Sequence, residues 1–167
     1  YLSCDYGTVN PFSCGLWGEK DGVWYRLREY YYDSRREGAQ KTDEEYYAEI
    51  QALAGDLPVR AVIVDPSAAS FLACIRRHGR YPAIPAQNEV LDGIRQVSDA
   101  LREGRLRVAP CCRDTIREFG LYRWDARAAK DLPRKEHDHA MDDIRYFVTT
   151  VLAGQEEGFY ALAAARR

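Results

Sequence analysis

Two hydrophobic periods alternate along this chain, and the switches between them mark its elements. Residues 1–6 form an apolar run that reads as a strand, broken by Gly7 and by Asn10-Pro11. Residues 12–19 and 23–32 are strand-like and aromatic, and Asp21-Gly22 between them is a strong hairpin-turn signal. Thr42-Asp-Glu-Glu45 is a capping box, so a helix starts there, carries Tyr46, Tyr47, Ile50 and Leu53 at helical spacing, and ends near Gly55. Val59–Val64 is the most apolar strand, and its apolar run, interrupted only by Arg60, fits a strand covered on both faces. A helix to about His78 follows, then a short strand at Tyr81–Pro85. Glu89–Glu103 is a helix with Val90, Ile94, Val97 and Leu101 on one stripe. A short strand at Leu106–Ala109, a helix over 111–121, a polar loop or hairpin over 122–136 and a last helix over Asp138–Ala153 complete the pattern.

Three strands with a hairpin, a helix, a central strand and then alternating helices and strands predict an α/β fold. Its expected form is a mixed central β-sheet flanked by helices on both faces. The 167 residues suit one domain, over 1–154, with an Ala-rich tail at 155–167 that forms a further helical turn or stays loose. The chain begins at Tyr1, directly in a strand, and reads as a piece of a longer protein.

Charge and cysteine usage narrow the classes. No apolar stretch approaches the ~20 residues needed to cross a bilayer, and no secretory signal is present. The net charge of −2 excludes a strongly basic nucleic-acid binder. Local charge differs: between Arg113 and Lys135 seven basic residues face four acidic ones, and Arg76, Arg77 and Arg80 form a second basic group. Solvated helix faces account for either group alone, but beside a carboxylate cluster a basic rim also holds a phosphate backbone. Cys4, Cys14, Cys74, Cys111 and Cys112 are odd in number and include no CxxC, which points to reduced cytosolic thiols.

Three acidic sites carry the chemistry. Asp5 closes the first strand, Asp65 closes the most apolar strand, and Asp142-Asp143 lie near the start of the last helix. Each has a plain structural reading: a turn aspartate, a helix N-cap before Pro66, and first-turn acids facing a helix dipole. Together, carboxylates at the ends of central strands repel one another unless a cation lies between them, and oxygen-only ligation suits Mg²⁺ or Mn²⁺. Helical spacing puts His139, Asp142, Asp143 and Tyr146 on one face, with Ala140, Ile144, Phe147, Val148 and Val151 on the apolar one; Asp143 lies nearer the apolar face and points more toward the protein body.

One acid on the first strand, one on a later central strand and one on the last helix is the pattern of ribonuclease H-like nucleases. The chain resembles the C-terminal nuclease domain of the large terminase subunits of tailed phages and prophages. The resemblance lies in Asp5-Tyr6-Gly7-Thr8-x-Asn10-Pro11, Val62-Ile63-Val64-Asp65-Pro66-Ser67, Leu91-Asp92-Gly93-Ile94, Glu118-Phe119-Gly120-Leu121-Tyr122-Arg123-Trp124 and His139-Ala140-Met141-Asp142-Asp143-Ile144-Arg145-Tyr146, in that order.

The resemblance implies catalytic roles for Asp5, Asp65 and Asp142, with His139 tuning the metal water or contacting phosphate. The family motif has a small residue where this chain has Asp143, which stands as a reserve metal ligand. A second departure is Gln87-Asn88-Glu89, where many relatives carry a lysine. The implied activity is a two-metal-ion endonuclease that cuts concatemeric double-stranded DNA in a packaging motor of the bacterial host cytoplasm. Two Mg²⁺ or Mn²⁺ ions would be held, with Asp5 on both. Arg123, Arg127, Lys130, Arg134 and Lys135 are the candidate DNA contacts. An N-terminal ATPase domain, the small terminase subunit and the portal are the implied partners, no membrane is involved, and the isolated domain would be a monomer. No GxxxxGK[ST] loop occurs in the chain itself. Other readings are a junction resolvase or hybrid nuclease of the same superfamily, and a non-catalytic module that docks on the portal or another partner.

Overall fold

The computed structural model describes residues 1–128 and 132–154. The strands are β1 (Leu2–Asp5), β2 (Phe12–Lys20), β3 (Val23–Tyr32), β4 (Val62–Val64), β5 (Ala83–Pro85) and β6 (Leu106–Val108). The helices are α1 (Ser34–Glu37), α2 (Asp43–Ala54), α3 (Ala69–His78), α4 (Val90–Arg102), α5 (Arg113–Leu121) and α6 (His139–Phe147), the last continued by a π-helical segment, Val148–Leu152. One mixed sheet of order β5-β4-β1-β2-β3-β6 runs through the molecule. β1 pairs antiparallel with β2 and parallel with β4, so it lies in the interior of the sheet with its C-terminal end beside that of β4.

Side-chain alternation along the strands builds two cores. Leu2, Cys4, Val62 and Val64 face α2 and α3, where Phe12 and Tyr46 stack at 4.2 Å. Ile63, Trp17 and Trp24 face α6, the π segment and α4, where Trp17 and Phe147 stack at 4.1 Å. The sheet is therefore flanked on both sides, as the element order predicts. The strands after β3 are shorter than the apolar runs suggest: Val59 and Arg60 lie outside the ladder, although Ala61 still accepts the Leu2 N–H at 3.1 Å. The α1 turn was not legible in the periodicity, because its four residues carry no apolar repeat. It is made by Asp33, whose side chain accepts the N–H groups of Arg35 and Arg36. All five cysteines are free thiols.

The face of β1 and β2 toward α6 carries a buried polar network. Asp143, fully buried, accepts hydrogen bonds from Ser13 Oγ at 2.9 Å, Arg26 Nη2 at 2.7 Å and Ser3 Oγ. Trp17 Nε1 in turn donates to Ser3 Oγ at 2.7 Å. Burial alone would lower the proton affinity of Arg26, but the facing Asp143 carboxylate raises it above its usual value, so the guanidinium stays charged. Space for it comes from Gly15, where a Cβ would lie 2.0 Å from Arg26 Nη1. This joins α6 to three strands at once. Removing one member of a buried ion pair strands the other, so Asp143→Ala should cost about 3–5 kcal/mol of stability. Adding Arg26→Met to that variant should return part of the loss, measured by urea unfolding.

Candidate active site

The ends of β1 and β4 open on a cavity of about 450 Å³. Asp5, Asp65, Asp142 and His139 all line it, with Tyr6, Asn10, Ser67, Asn88, Lys135, Asp138, Arg145 and Tyr146. Asp5 arrives from β1, Asp65 from the residue after β4, and Asp142 and His139 from α6. The parallel pairing of β1 and β4 continues past the strands, where the Asp65 N–H donates to the Cys4 carbonyl at 3.1 Å. That bond brings Asp5 and Asp65 to the C-terminal ends of two neighbouring strands.

Asp5 is 8% exposed, and His139 Nδ1 lies 2.8 Å from its Oδ2. Burial pushes the Asp5 carboxyl up to about 7; the hydrogen bond and charge of His139 act against this, and Asp142 and Asp65 add to it. Burial would lower His139, yet Asp5 and then Asp138 hold it above its usual value. Asp65 makes a tight turn rather than a helix cap: its carboxylate accepts the Ser67 N–H and the Ser67 hydroxyl, both at 2.9 Å, and α3 starts only at Ala69. Asp142 Oδ1 accepts from Arg145 Nη2 at 2.9 Å and Nε at 3.2 Å, and Lys135 Nζ lies 3.4 Å from its Oδ2.

Asp143 does not line the cavity. One residue past Asp142, it turns toward the sheet and is saturated by Ser3, Ser13 and Arg26. Its helical spacing, nearer the apolar face than Asp142, already turns it toward the protein body; what the structure does not bear out is a place in the cavity as a reserve metal ligand. A helix advances about 100° per residue, and the pull of Arg26 places the i+4 carboxylate on the sheet side.

Of the five basic residues singled out from the sequence, Lys135 lines the cavity. Arg123, Arg127 and Arg134 are exposed on the loop after α5, where the Arg134 N–H donates to the Arg123 carbonyl at 3.0 Å. Lys130 lies outside the described residues. A second cavity of about 400 Å³ shares Asn10, Lys135 and His139 with the first and adds Arg35, Arg36 and Arg117. Arg117 belongs to the basic group between Arg113 and Lys135; Arg35 and Arg36 were missed because their basic character is diluted by Asp33 and Glu37 beside them in sequence, which line the same cavity.

Several motif residues support the site. A Cβ at Gly7 would lie 2.3 Å from the Asn10 carbonyl oxygen, so the chain doubles back beside Asp5 only with glycine there. A Cβ at Gly93 would lie 2.6 Å from Arg145 Cγ, so this glycine makes room for the arginine that holds Asp142. Arg145 Nη1 also donates to Asn88 Oδ1 at 2.9 Å, which brings a cation to the segment 87–89 that lacks a lysine. Buried Glu118 accepts the Ala140 N–H at 2.7 Å and the Tyr31 hydroxyl at 2.6 Å, and so fixes the first turn of α6.

No protein-family model matches the chain. A curated relative is the terminase large subunit of Escherichia phage T5, 26% identical over 139 residues, 80% of this chain and 30% of that protein. The large terminase of a thermophilic bacteriophage, solved in complex with ADP, is 49% identical with a TM-score of 0.88, over 91% of this chain and 39% of that one. The nuclease domain of the bacteriophage SPP1 large terminase, solved with bound Mn, matches with a TM-score of 0.61 at 17% identity, over 87% of this chain and 82% of that one. The structural neighbours are thus large terminases and their nuclease domains, and the fold is their ribonuclease H-like fold. The chain spans only about a third of the T5 protein and of the ADP-bound terminase.

Glu118→Gln places an amide N–H₂ among groups that need acceptors. It should lower stability by about 1–3 kcal/mol in chemical denaturation, because one buried donor loses its partner.

Proposed function

We propose that this chain, whose structural neighbours are large-terminase nuclease domains, is the metal-dependent endonuclease unit of a DNA-packaging terminase. The observation that carries this reading is the convergence of Asp5, Asp65 and Asp142, from three remote stretches of sequence, around one cavity. The donor set fits hard divalent cations: the three carboxylates offer only oxygen, and burial together with Asp142 and Asp65 raises the proton affinity of Asp5 even against the opposing effect of His139. Asp5, which feels the charge of both other acids, would hold two ions, with Asp65 on one and Asp142 on the other. When bound, Mg²⁺ or Mn²⁺ would supply Lewis acidity that activates water and offsets charge on a phosphodiester.

The chain's own groups set the geometry around that chemistry. His139 holds the Asp5 carboxylate through the 2.8 Å contact, which makes it a positioning residue. Arg145 and Lys135 orient Asp142 and keep positive charge at the cavity wall, where a phosphate would lie. In the adjoining cavity Arg35, Arg36 and Arg117 stand among Asp33, Glu37, Asp114 and Glu136, and the arginines are the groups there that could meet the backbone of double-stranded DNA. The proposed setting is the packaging motor in the bacterial host cytoplasm, with an ATPase domain, a small terminase subunit and the portal as partners and concatemeric DNA as substrate. The unit spans residues 1–154. No described helix is long and apolar enough to cross a membrane.

Plasmid nicking with Mg²⁺ or Mn²⁺, against an EDTA control, tests this. Asp5→Ala and Asp142→Ala should each lose at least about a hundredfold in rate, the scale of losing a charge-stabilising group at a reaction centre. Persistent metal-dependent nicking by Asp5→Ala would reject the assignment, and preference for four-way or hybrid substrates would favour a resolvase or hybrid nuclease instead. Arg36→Ala should weaken duplex binding about equally across sequences and lower the slope of log affinity against log salt by about 1.

A further inference from the structure

A second cluster of metal-ligating groups lies outside the carboxylate cavity. Cys74 and His78 are four residues apart on α3, which puts both side chains on one face of the helix. Glu44, in the first turn of α2, faces them. One donor atom from each of Glu44, Cys74 and His78 lies within 4.8 Å of the other two. None of the three lines the cavity of Asp5, Asp65 and Asp142.

From this geometry we infer a separate site for a borderline-soft divalent cation of the Zn²⁺ class, held by Glu44 Oε2, Cys74 Sγ and His78 Nε2. A thiolate, an imidazole and a carboxylate together suit Zn²⁺ and Co²⁺ and are a poor match for Mg²⁺. Donor atoms around a tetrahedral Zn²⁺ lie ~3.3–3.8 Å apart, so the cluster closes with small side-chain movements. His78 Nε2 and Glu44 Oε2, now 2.6 Å apart, would separate slightly to admit the ion. The ligands are already oriented. The Tyr47 ring stacks on the His78 ring at 3.9 Å and 7°, and Arg77 takes the other Glu44 oxygen, Oε1, leaving Oε2 to face His78. Such outer partners are what fix ligands in metal sites. Binding would clip α2 to α3 and release the Cys74 proton, while the fourth position stays open to water. This site is independent of the nuclease reading.

The test is a Co²⁺ titration of the reduced protein, held in a phosphine reductant that does not compete for metal. The wild-type protein should develop a thiolate-to-cobalt absorption band, and Zn²⁺ should abolish it and raise the Tm. Asp5→Ala and Cys111→Ser should keep the band, Cys74→Ser should lose it, and Glu44→Gln should weaken Co²⁺ affinity at least about tenfold, the loss even an outer partner's removal brings. Absence of the band in the folded wild type, its survival in Cys74→Ser or its loss in Cys111→Ser would overturn the proposal. Because Cys74 is buried and its replacement can disturb folding, the exposed Glu44 provides a second decision: unchanged Co²⁺ affinity in Glu44→Gln would also overturn it.

Discussion

The docking of α6 on the middle of the sheet is the constraint on which the rest depends. α6 carries His139 and Asp142, and its own first turn has no side-chain cap. Two buried acids tie it to other elements. Glu118 accepts the Ala140 N–H from the side of α5, and Asp143 reaches through to Ser3, Ser13 and Arg26 on three strands. A buried ion pair contributes little net stability compared with apolar packing, but it penalises any register in which the partners miss each other. A helix slipped by one residue would strand both charges, so Asp143 fixes the register that delivers Asp142 to the cavity.

Adjacent aspartates thus do opposite things. Asp142 points outward into a half-open cavity and pairs with Arg145 and Lys135. Asp143 points inward and is consumed by the fold. A small residue at that second position, as the terminase motif has, needs no buried cation opposite; here Arg26 supplies one, and Gly15 beneath it leaves the space. Asp143, Arg26 and Gly15 form one coupled set, and a change at one alone is expected to be worse than a change at two.

Most of the architecture was legible in the sequence because it rests on local signals. The Asp21-Gly22 turn, the Thr42 capping box and the apolar Val59–Val64 run each act over a few residues and each marks an element, although the last forms a strand only over Val62–Val64. What sequence could not show was long-range pairing. Nothing near Asp143 signals Arg26, 117 positions away, so helical spacing turned Asp143 toward the protein body without revealing the partner that keeps it out of the cavity. Asp65 reads locally as a helix cap, yet the backbone spends Ala68 before α3 begins, and the carboxylate closes a turn on Ser67 instead. Arg35 and Arg36 of the second cavity were hidden by Asp33 and Glu37, which share it. Motif glycines were visible as residues, but their cause, room for Arg145 at Gly93 and for the returning chain at Gly7, exists only in three dimensions.

Carboxylate convergence beside basic residues gives a site that attracts a polyanion and a cation together, while the thiol-containing cluster between α2 and α3 selects a different class of ion. Anomalous diffraction from crystals soaked in Mn²⁺ tests the central claim most directly. Manganese peaks bounded by the carboxylates of Asp5, Asp65 and Asp142, with Asp143 still on Arg26, are the predicted result. A fully occupied Mn²⁺ elsewhere with no density among those three side chains would contradict it.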